Sequence, residues 1–354
     1  MQPVEIEARA AAAEQPADSW PRAFWYCASA SQRLTDRPLG VRVLDRDLAL
    51  YRDAAGVARA LEDRCAHRGA QLSLGEVNEG ALACRYHGWR YGRDGRCAHI
   101  PSLIAGQSIP RGVGVRVFPC READGYLWVW MGEGDPSEAP PRGIAYFRQF
   151  NWAQGVMALN CAALAAIENN LDWCHPTFAH PHTHPQFFIN QARGFQDQAI
   201  EARRTPSGLT AFWPPSASAV DPVSEASVAL VFELPDRVTV AFSGPQGPMR
   251  IVLHMVPTGP NTCRQEWMIS TGPAGGDVPT VVWSDEVHAI FEQDRELLES
   301  VQRAVDREGR GFERSAPADA PTLIARRIYT LAAQGHWPGG AADLPKRRIV
   351  KLRS

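Results

Sequence analysis

Apolar and polar positions follow two different periods along this chain. Over residues 41–57 apolar residues fall in short runs, broken at Asp45-Arg46-Asp47 and at Asp53-Ala54-Ala55-Gly56. Further runs follow two glycine-containing loops, at 113–118 and 126–130. Short runs punctuated by turn residues predict strands, here a small all-β unit. Later runs at 227–233, 237–243, 249–256 and 263–270 are separated by Pro-Asp, Gly-Pro-Gln-Gly and Pro-Thr-Gly-Pro-Asn breaks, which predict one antiparallel meander. The period then becomes helical: Val287, Ile290, Phe291, Leu297, Leu298 and Val301 recur at three- and four-residue spacing, and Asp294 falls on the same stripe.

Between these regions, residues 132–141 (GEGDPSEAPP) combine Gly, Pro and acidic side chains, the mix found where few contacts cross. A chain of 354 residues can bury two cores. The expectation is therefore an α+β protein: a tail at 1–18 that frays, an all-β domain at 19–135, and at 136–354 a second domain with an antiparallel sheet covered by helices. No internal repeat is visible.

Composition removes several function classes. Hydrophobic residues make up 45%, charged residues 21%, and the formal net charge is -2, which does not suit a nucleic-acid binder. A long uncharged stretch, 149–167, contains Asn151, Gln154 and Asn160, whose amides would be expensive in hydrocarbon, so no membrane span is expected. The first residues lack a basic start and an apolar centre, unlike an export signal, and a cytoplasmic protein is expected. Eight cysteines scattered over this length predict reduced thiols rather than a disulfide scaffold.

Four of the candidate metal ligands come in two loops. Cys65-Ala66-His67 and, after sixteen intervening residues, Cys84-Arg85-Tyr86-His87 give C-x-H and C-x-x-H, with glycines at 69, 75, 80 and 88. Two thiolates on one iron and two imidazoles on the other form a Rieske [2Fe-2S] centre, whose potential the histidines raise. A structural zinc site uses the same ligand types, but zinc fingers group cysteines with cysteines and histidines with histidines.

A second set lies downstream in ENNLDWCHPTFAH, after apolar Leu164, Ile167 and Leu171. His175 and His180 are five apart, and a third ligand would complete the two-histidine, one-carboxylate set that leaves positions open on Fe(II). Asp294 is the choice, because a carboxylate on a buried helical stripe is costly unless a cation compensates it, with Glu292 as runner-up. The plainer alternatives are a capping aspartate and a structural histidine pair. His182 and His184 read as loop residues, Cys174 as packing, and Trp128 and Trp130 as core. No dinucleotide fingerprint is present, since Gly112-Val113-Gly114 fails at the third glycine.

The segments CAHRGAQLSLGEV and CRYHGWRY resemble the Rieske domains of oxygenases and their ferredoxins. Respiratory-type domains need two further cysteines, where this chain has Ala70 and Tyr86. Asn169, Asp172, His175 and His180 match N-x-x-D-x-x-H-x(4)-H, which resembles the iron motif of ring-hydroxylating oxygenase α subunits. EVHAIFEQDRELLESVQ resembles the segment donating the carboxylate ligand, with Asp294 at the matching position. The resemblance runs from about residue 20 to about 353.

It implies a Rieske [2Fe-2S] domain followed by a helix-grip-like catalytic domain with mononuclear Fe(II). It also implies electrons from a separate NAD(P)H-linked reductase or a ferredoxin, and a head-to-tail homotrimer. In that assembly Asp172 bridges His87 of one subunit to His175 of the next. The expected reaction consumes O2 and hydroxylates or oxidatively demethylates a small hydrophobic or aromatic substrate. The segment ADAPTLIARRIY is closer to the homotrimeric monooxygenase and demethylase group, vanillate O-demethylase-like enzymes included. Dihydroxylation, desaturation and oxidative cyclisation are alternatives, because fold and metal do not choose among them. Residues 187–189, 209–213 and 238–242 are apolar pocket candidates. Outside enzymes, the competing readings are a Rieske electron carrier, which has no use for the second domain, and a zinc-bound interaction protein.

Overall fold

The computed structural model describes residues 20–134, 136, 139–140, 150–181, 183, 194–213, 228–244, 247–273 and 280–353. The tail at 1–18, His182, His184 and the pocket candidates at 187–189 lie outside them.

Three antiparallel sheets build the first half. β1 (Trp25–Ala30), β2 (Leu39–Val43), β3 (Arg46–Arg52), β4 (Ala58–Glu62), β5 (Glu76–Asn78), β6 (Ala81–Ala83), β7 (Arg90–Tyr91), β8 (Cys97–His99), β9 (Val117–Phe118), β10 (Cys120–Ala123) and β11 (Tyr126–Trp130) pair in the orders β1-β11-β10, β2-β3-β4-β9 and β5-β6-β7-β8. The two-residue period of β3 serves two cores. Leu48 and Leu50 enter the main one, while Ala49 and Tyr51 join Leu61, Leu72, Leu82, Cys65, Cys84 and Tyr91 in a second core under the cysteine loops. Two expectations shift here. The turn after β2 is made by Leu44 and Asp45, both with positive φ as a tight hairpin turn requires, so Arg46 and Asp47 pair within β3. Of 113–118 only Val117 and Phe118 form a strand; Val113 and Val115 bond instead to Cys97 and Gly95 across a loop.

The second half is one eight-stranded antiparallel sheet: β12 (Phe150–Leu159), β13 (Asp197–Thr205), β14 (Gly208–Phe212), β15 (Val228–Glu233), β16 (Arg237–Gly244), β17 (Gly247–Gly259), β18 (Thr262–Pro273) and β19 (Arg347–Arg353), in the order β12-β18-β17-β16-β15-β14-β13-β19. α1 (Ala163–Leu171), α2 (Pro176–Ala179), α3 (Thr280–Glu308) and α4 (Ala320–Ala333) complete it. Direct partners place Trp267, Leu253, Val238, Phe232 and Leu209 in one row across five strands, every one buried. The Trp267 ring lies 5.8 Å from that of Phe291 on α3, so this is the helix-bearing face.

The opposite face meets the first half. His254 lies edge-on to Tyr126 at 5.4 Å and to Trp128 at 5.1 Å, with its Nδ1 on Asp236 at 3.0 Å. The Arg264 guanidinium donates to the carbonyls of Cys27 and Ala28, and Arg33 and Arg264 both reach the buried Glu266. Burial raises the Glu266 carboxyl above the ordinary range, against the pull of the two arginines. A single apolar cluster runs from Trp20 through Trp128 to Leu352, so both halves share their main core.

On α3 the buried stripe is Val287, Phe291, Asp294, Leu298 and Gln302. Leu297 and Val301, placed on it by the sequence pattern, are 48% and 47% exposed. Each is one residue off the stripe, about 100° round the helix. No described helix is long and apolar enough to cross a membrane.

Candidate functional site

The two cysteine loops repeat one hydrogen-bond pattern. Cys65 N–H donates to the carbonyl of Ala70 and Gly69 N–H returns to Cys65; Cys84 N–H donates to Trp89 and Gly88 N–H returns to Cys84. Gly69 and Gly88 close the loops at φ of 76° and 70°, a region that strains other residues. The pattern turns Cys65 and Cys84 inward, where both are buried and their thiols interact, and brings the His67 and His87 rings to 4.5 Å, edge to face. Burial raises the Cys84 thiol, and Cys65 beside it raises it further.

This geometry fits a two-iron cluster. Thiols pair with thiols and imidazoles with imidazoles, and His67 Nδ1 is buried with no hydrogen-bond partner. Among the described residues, the only group of three or more such side chains with ligand atoms within 4.8 Å of one another is elsewhere, so the four do not converge as one zinc ion requires. Tyr91 is a residue the sequence reading passed over. Its hydroxyl lies 3.0 Å from Cys65 Sγ and accepts from Ala66 N–H at 3.0 Å. Its place at the end of CRYHGWRY was the available signal.

That other group is His175, His180 and Asp294. Leu164, Ile167 and Leu171 bury one face of α1, whose end at Leu171 releases the chain into an Asp172 turn. Asp172 Oδ1 accepts from the N–H groups of Cys174 and His175 at 2.7 and 3.3 Å, and Pro176 then opens α2. A two-point ion pair holds α1 to α4: the Arg326 guanidinium spans both Glu168 oxygens and reaches Glu313 at 2.8 Å. Cys174 is not part of that group but packs against the main core, and burial pushes its thiol up to about 11.

The protons on the two imidazoles are committed. His175 Nδ1 lies 3.1 Å from the carbonyl oxygen of Asp172, and His180 Nδ1 lies 3.0 Å from Gln293 Oε1. Both oxygens can only accept, so Nδ1 carries the hydrogen and Nε2 a lone pair. Within the chain it is the main-chain oxygen of Asp172 that orients His175. The two Nε2 atoms face Asp294 Oδ1 at 3.6 and 3.2 Å. Burial lowers the His175 pKa; at His180 burial acts the same way, but Asp294 outweighs it and the value is raised. Three electron-rich atoms facing one point, two of them on buried side chains, call for a cation between them. Glu292 instead pairs with His288 and Arg295 on the helix surface.

A pair of loops built for two irons and a converging two-histidine, one-carboxylate set together define a protein with an electron-transfer centre and a separate catalytic metal. Known proteins agree. Residues 24–119 match the Rieske [2Fe-2S] domain, and 159–334 match the vanillate O-demethylase oxygenase C-terminal domain. The chain belongs to the Rieske non-haem iron oxygenases.

The chain is 35% identical over 162 residues to dicamba O-demethylase, oxygenase component, of Stenotrophomonas maltophilia, covering 45% of this chain and 47% of the relative. It is 32% identical over 181 residues to the vanillate O-demethylase oxygenase subunit of a Pseudomonas strain, covering 49% of each. It is 35% identical over 201 residues to chlorophyllide a oxygenase, chloroplastic, of Chlamydomonas reinhardtii, covering 55% of this chain and 29% of the relative. The matches span no more than about half of these curated relatives. The fold is that of dicamba monooxygenase bound to dicamba (TM-score 0.75, 24% identity, 89% of this chain and 98% of that one). Pseudomonas putida NdmA with caffeine is similar too (TM-score 0.74, 22% identity, 89% and 92%).

Proposed function

We propose that this chain is the terminal component of a Rieske oxygenase that hydroxylates or oxidatively demethylates a small hydrophobic or aromatic substrate. The observation that carries the reading is the convergence of His175, His180 and Asp294 within 4.8 Å in a chain that also bears the Cys65/His67 and Cys84/His87 loops. In this reading residues 19–135 form the Rieske domain and 136–354 the catalytic domain. Cys65 and Cys84 bind one cluster iron and His67 and His87 the other, while His175, His180 and Asp294 hold Fe(II).

When bound, the cluster supplies single electrons and the mononuclear iron activates dioxygen. The surrounding residues set the terms of that chemistry. Asp172 and Gln293 accept the Nδ1 protons and leave both Nε2 lone pairs facing inward. Asp294 supplies the single negative charge of the set. Val228, Val240, Met249 and Ile251 are half-buried on the helix-bearing face, beside a fully buried row, and leave apolar surface for a hydrophobic substrate. Trp213, 5.3 Å from Trp173 ring to ring, extends that surface toward the His175 turn.

Electrons come from a separate NAD(P)H-dependent reductase or ferredoxin, and the working assembly is a cytoplasmic homotrimer in which Asp172 links His87 of one subunit to His175 of the next, its carboxylate toward His87 and its main-chain oxygen on His175 Nδ1. The names of the dicamba and vanillate relatives support demethylation of an aromatic ether as the reaction to try first. The test is iron and acid-labile sulfide analysis of the purified chain, followed by oxygen uptake with NAD(P)H, a reductase and a panel of methoxy- and alkyl-arenes. Stimulated uptake with a hydroxylated or demethylated product supports the proposal. A protein that takes up cluster iron alone, with no change on His175→Ala, overturns it.

A further inference from the structure

We infer that Gln293 is a positioning residue that decides which nitrogen of His180 is offered to the metal. The inference rests on the reading of His175, His180 and Asp294 as the metal site. His180 is 1% exposed, so water cannot take the proton of whichever nitrogen is not a ligand. A buried N–H without an acceptor is costly, and here the acceptor for Nδ1 is Gln293 Oε1 at 3.0 Å. Thr183 Oγ1 donates to the same Oε1 at 3.1 Å, and Thr183 N–H returns to the His180 carbonyl at 3.3 Å. His180, Thr183 and Gln293 therefore close a ring of hydrogen bonds that ties the end of α2 to α3.

The residue type gives the arrangement its meaning. An amide has an acceptor on one side and donors on the other. With Oε1 turned inward, His180 is protonated on Nδ1 and its Nε2 lone pair points at Asp294, ready for a cation. With the amide turned over, Nδ1 would have to accept and the proton would move to Nε2, which lies 3.2 Å from Asp294 Oδ1, blocking the site. The Thr183 hydroxyl donates to Oε1 in the first arrangement; with the amide turned over it would accept from the amide N–H and donate to the His180 carbonyl at 3.3 Å, so it is Gln293, not Thr183, whose orientation sets the His180 proton. Gln293 precedes Asp294 directly, so one turn of α3 supplies both a ligand and the group that sets the tautomer of a second ligand.

Two substitutions separate this role from packing. Gln293→Met keeps the length and removes the acceptor; Gln293→Glu keeps only acceptor oxygens. In the metal-free chain, nitrogen-15 spectra of labelled histidine should show His180 protonated on Nδ1 in the unchanged chain and in Gln293→Glu, and no longer fixed there in Gln293→Met. Cobalt(II) titration followed by its visible absorption should give an affinity about 10–100-fold weaker for Gln293→Met, with Gln293→Glu at least as tight as the unchanged chain. The Rieske spectrum should be the same in all three. An unaltered His180 tautomer and cobalt affinity in Gln293→Met overturns the inference, as does equal weakening in both variants. If the unchanged chain binds no cobalt, the metal-site reading fails, and the tautomer spectra still judge Gln293.

Discussion

Gly155 and Trp267 are direct partners across β12 and β18, and a Cβ on Gly155 would come within 2.3 Å of the indole ring. The missing side chain lets the indole lie flat over β12. That ring in turn packs on Phe291, one turn before Asp294 on α3. A glycine on an edge strand thereby helps set the height of a metal ligand above the sheet.

Gly155→Ala should therefore lower stability by about 1–3 kcal/mol, the usual range for forcing an extra methyl into a packed core. It should also weaken metal uptake at the triad. Chemical denaturation read by tryptophan fluorescence, alongside cobalt titration, checks both. Unchanged values for the two would show that the indole moves aside freely.

Asp294→Asn keeps the shape of the side chain and removes its charge. We expect loss of the mononuclear metal with the cluster's iron, sulfide and visible spectrum intact, since the two ligand sets share no residue. Iron and sulfide assays on the purified variant decide it.

Tyr91→Phe removes the hydroxyl beside Cys65 Sγ without altering the ring's place in the second core. Hydrogen bonds to ligand sulfur favour the reduced cluster, so its potential should fall. A redox titration followed by circular dichroism measures this, and an unchanged potential would mean that the hydroxyl serves Ala66 N–H alone.

Glu201 tests how the C-terminal strand is held. Hydrogen bonding from Arg347 is the main cause of its lowered pKa, despite burial, and Arg203 adds to the effect. Arg347 donates to both carboxylate oxygens, at 2.7 and 2.8 Å, and so fastens β19 to β13. A carboxyl with a depressed folded-state pKa contributes stability above its unfolded value, about 4.3, and loses it as the pH falls through the folded one. Glu201→Gln should be less stable at neutral pH and show a flatter decline below about pH 4.3. Thermal melts from pH 7 to pH 3 would reveal parallel curves if the pair contributes nothing.

Much of the site was legible because each metal set draws on short, local segments. C-x-H and C-x-x-H carry half of a cluster each, and His175 and His180 sit on one turn and its short helix. Asp294 was reachable through helical periodicity, which exposed a carboxylate on an apolar stripe, and through the resemblance of its helix to the ligand-donating segment. The same periodicity misplaced Leu297 and Val301, because a three-or-four spacing cannot tell the edge of a stripe from its centre. Gln293 was hidden for a different reason: its partner is 113 residues away, and no local pattern marks an uncharged amide as a hydrogen-bond acceptor. The pairing of β12 with β18 and the seat of His254 between Tyr126 and Trp128 likewise depend on long-range closure, which strand patterns do not encode.

That seat bears on engineering. Grafting the first domain onto a related partner as a cassette would tear open the surface formed by Tyr126, Trp128 and His254, and would strand Glu266 without Arg33. A working chimaera would have to carry the recipient's residues at these positions, so the seam, more than the cysteine loops, decides which combinations can be built.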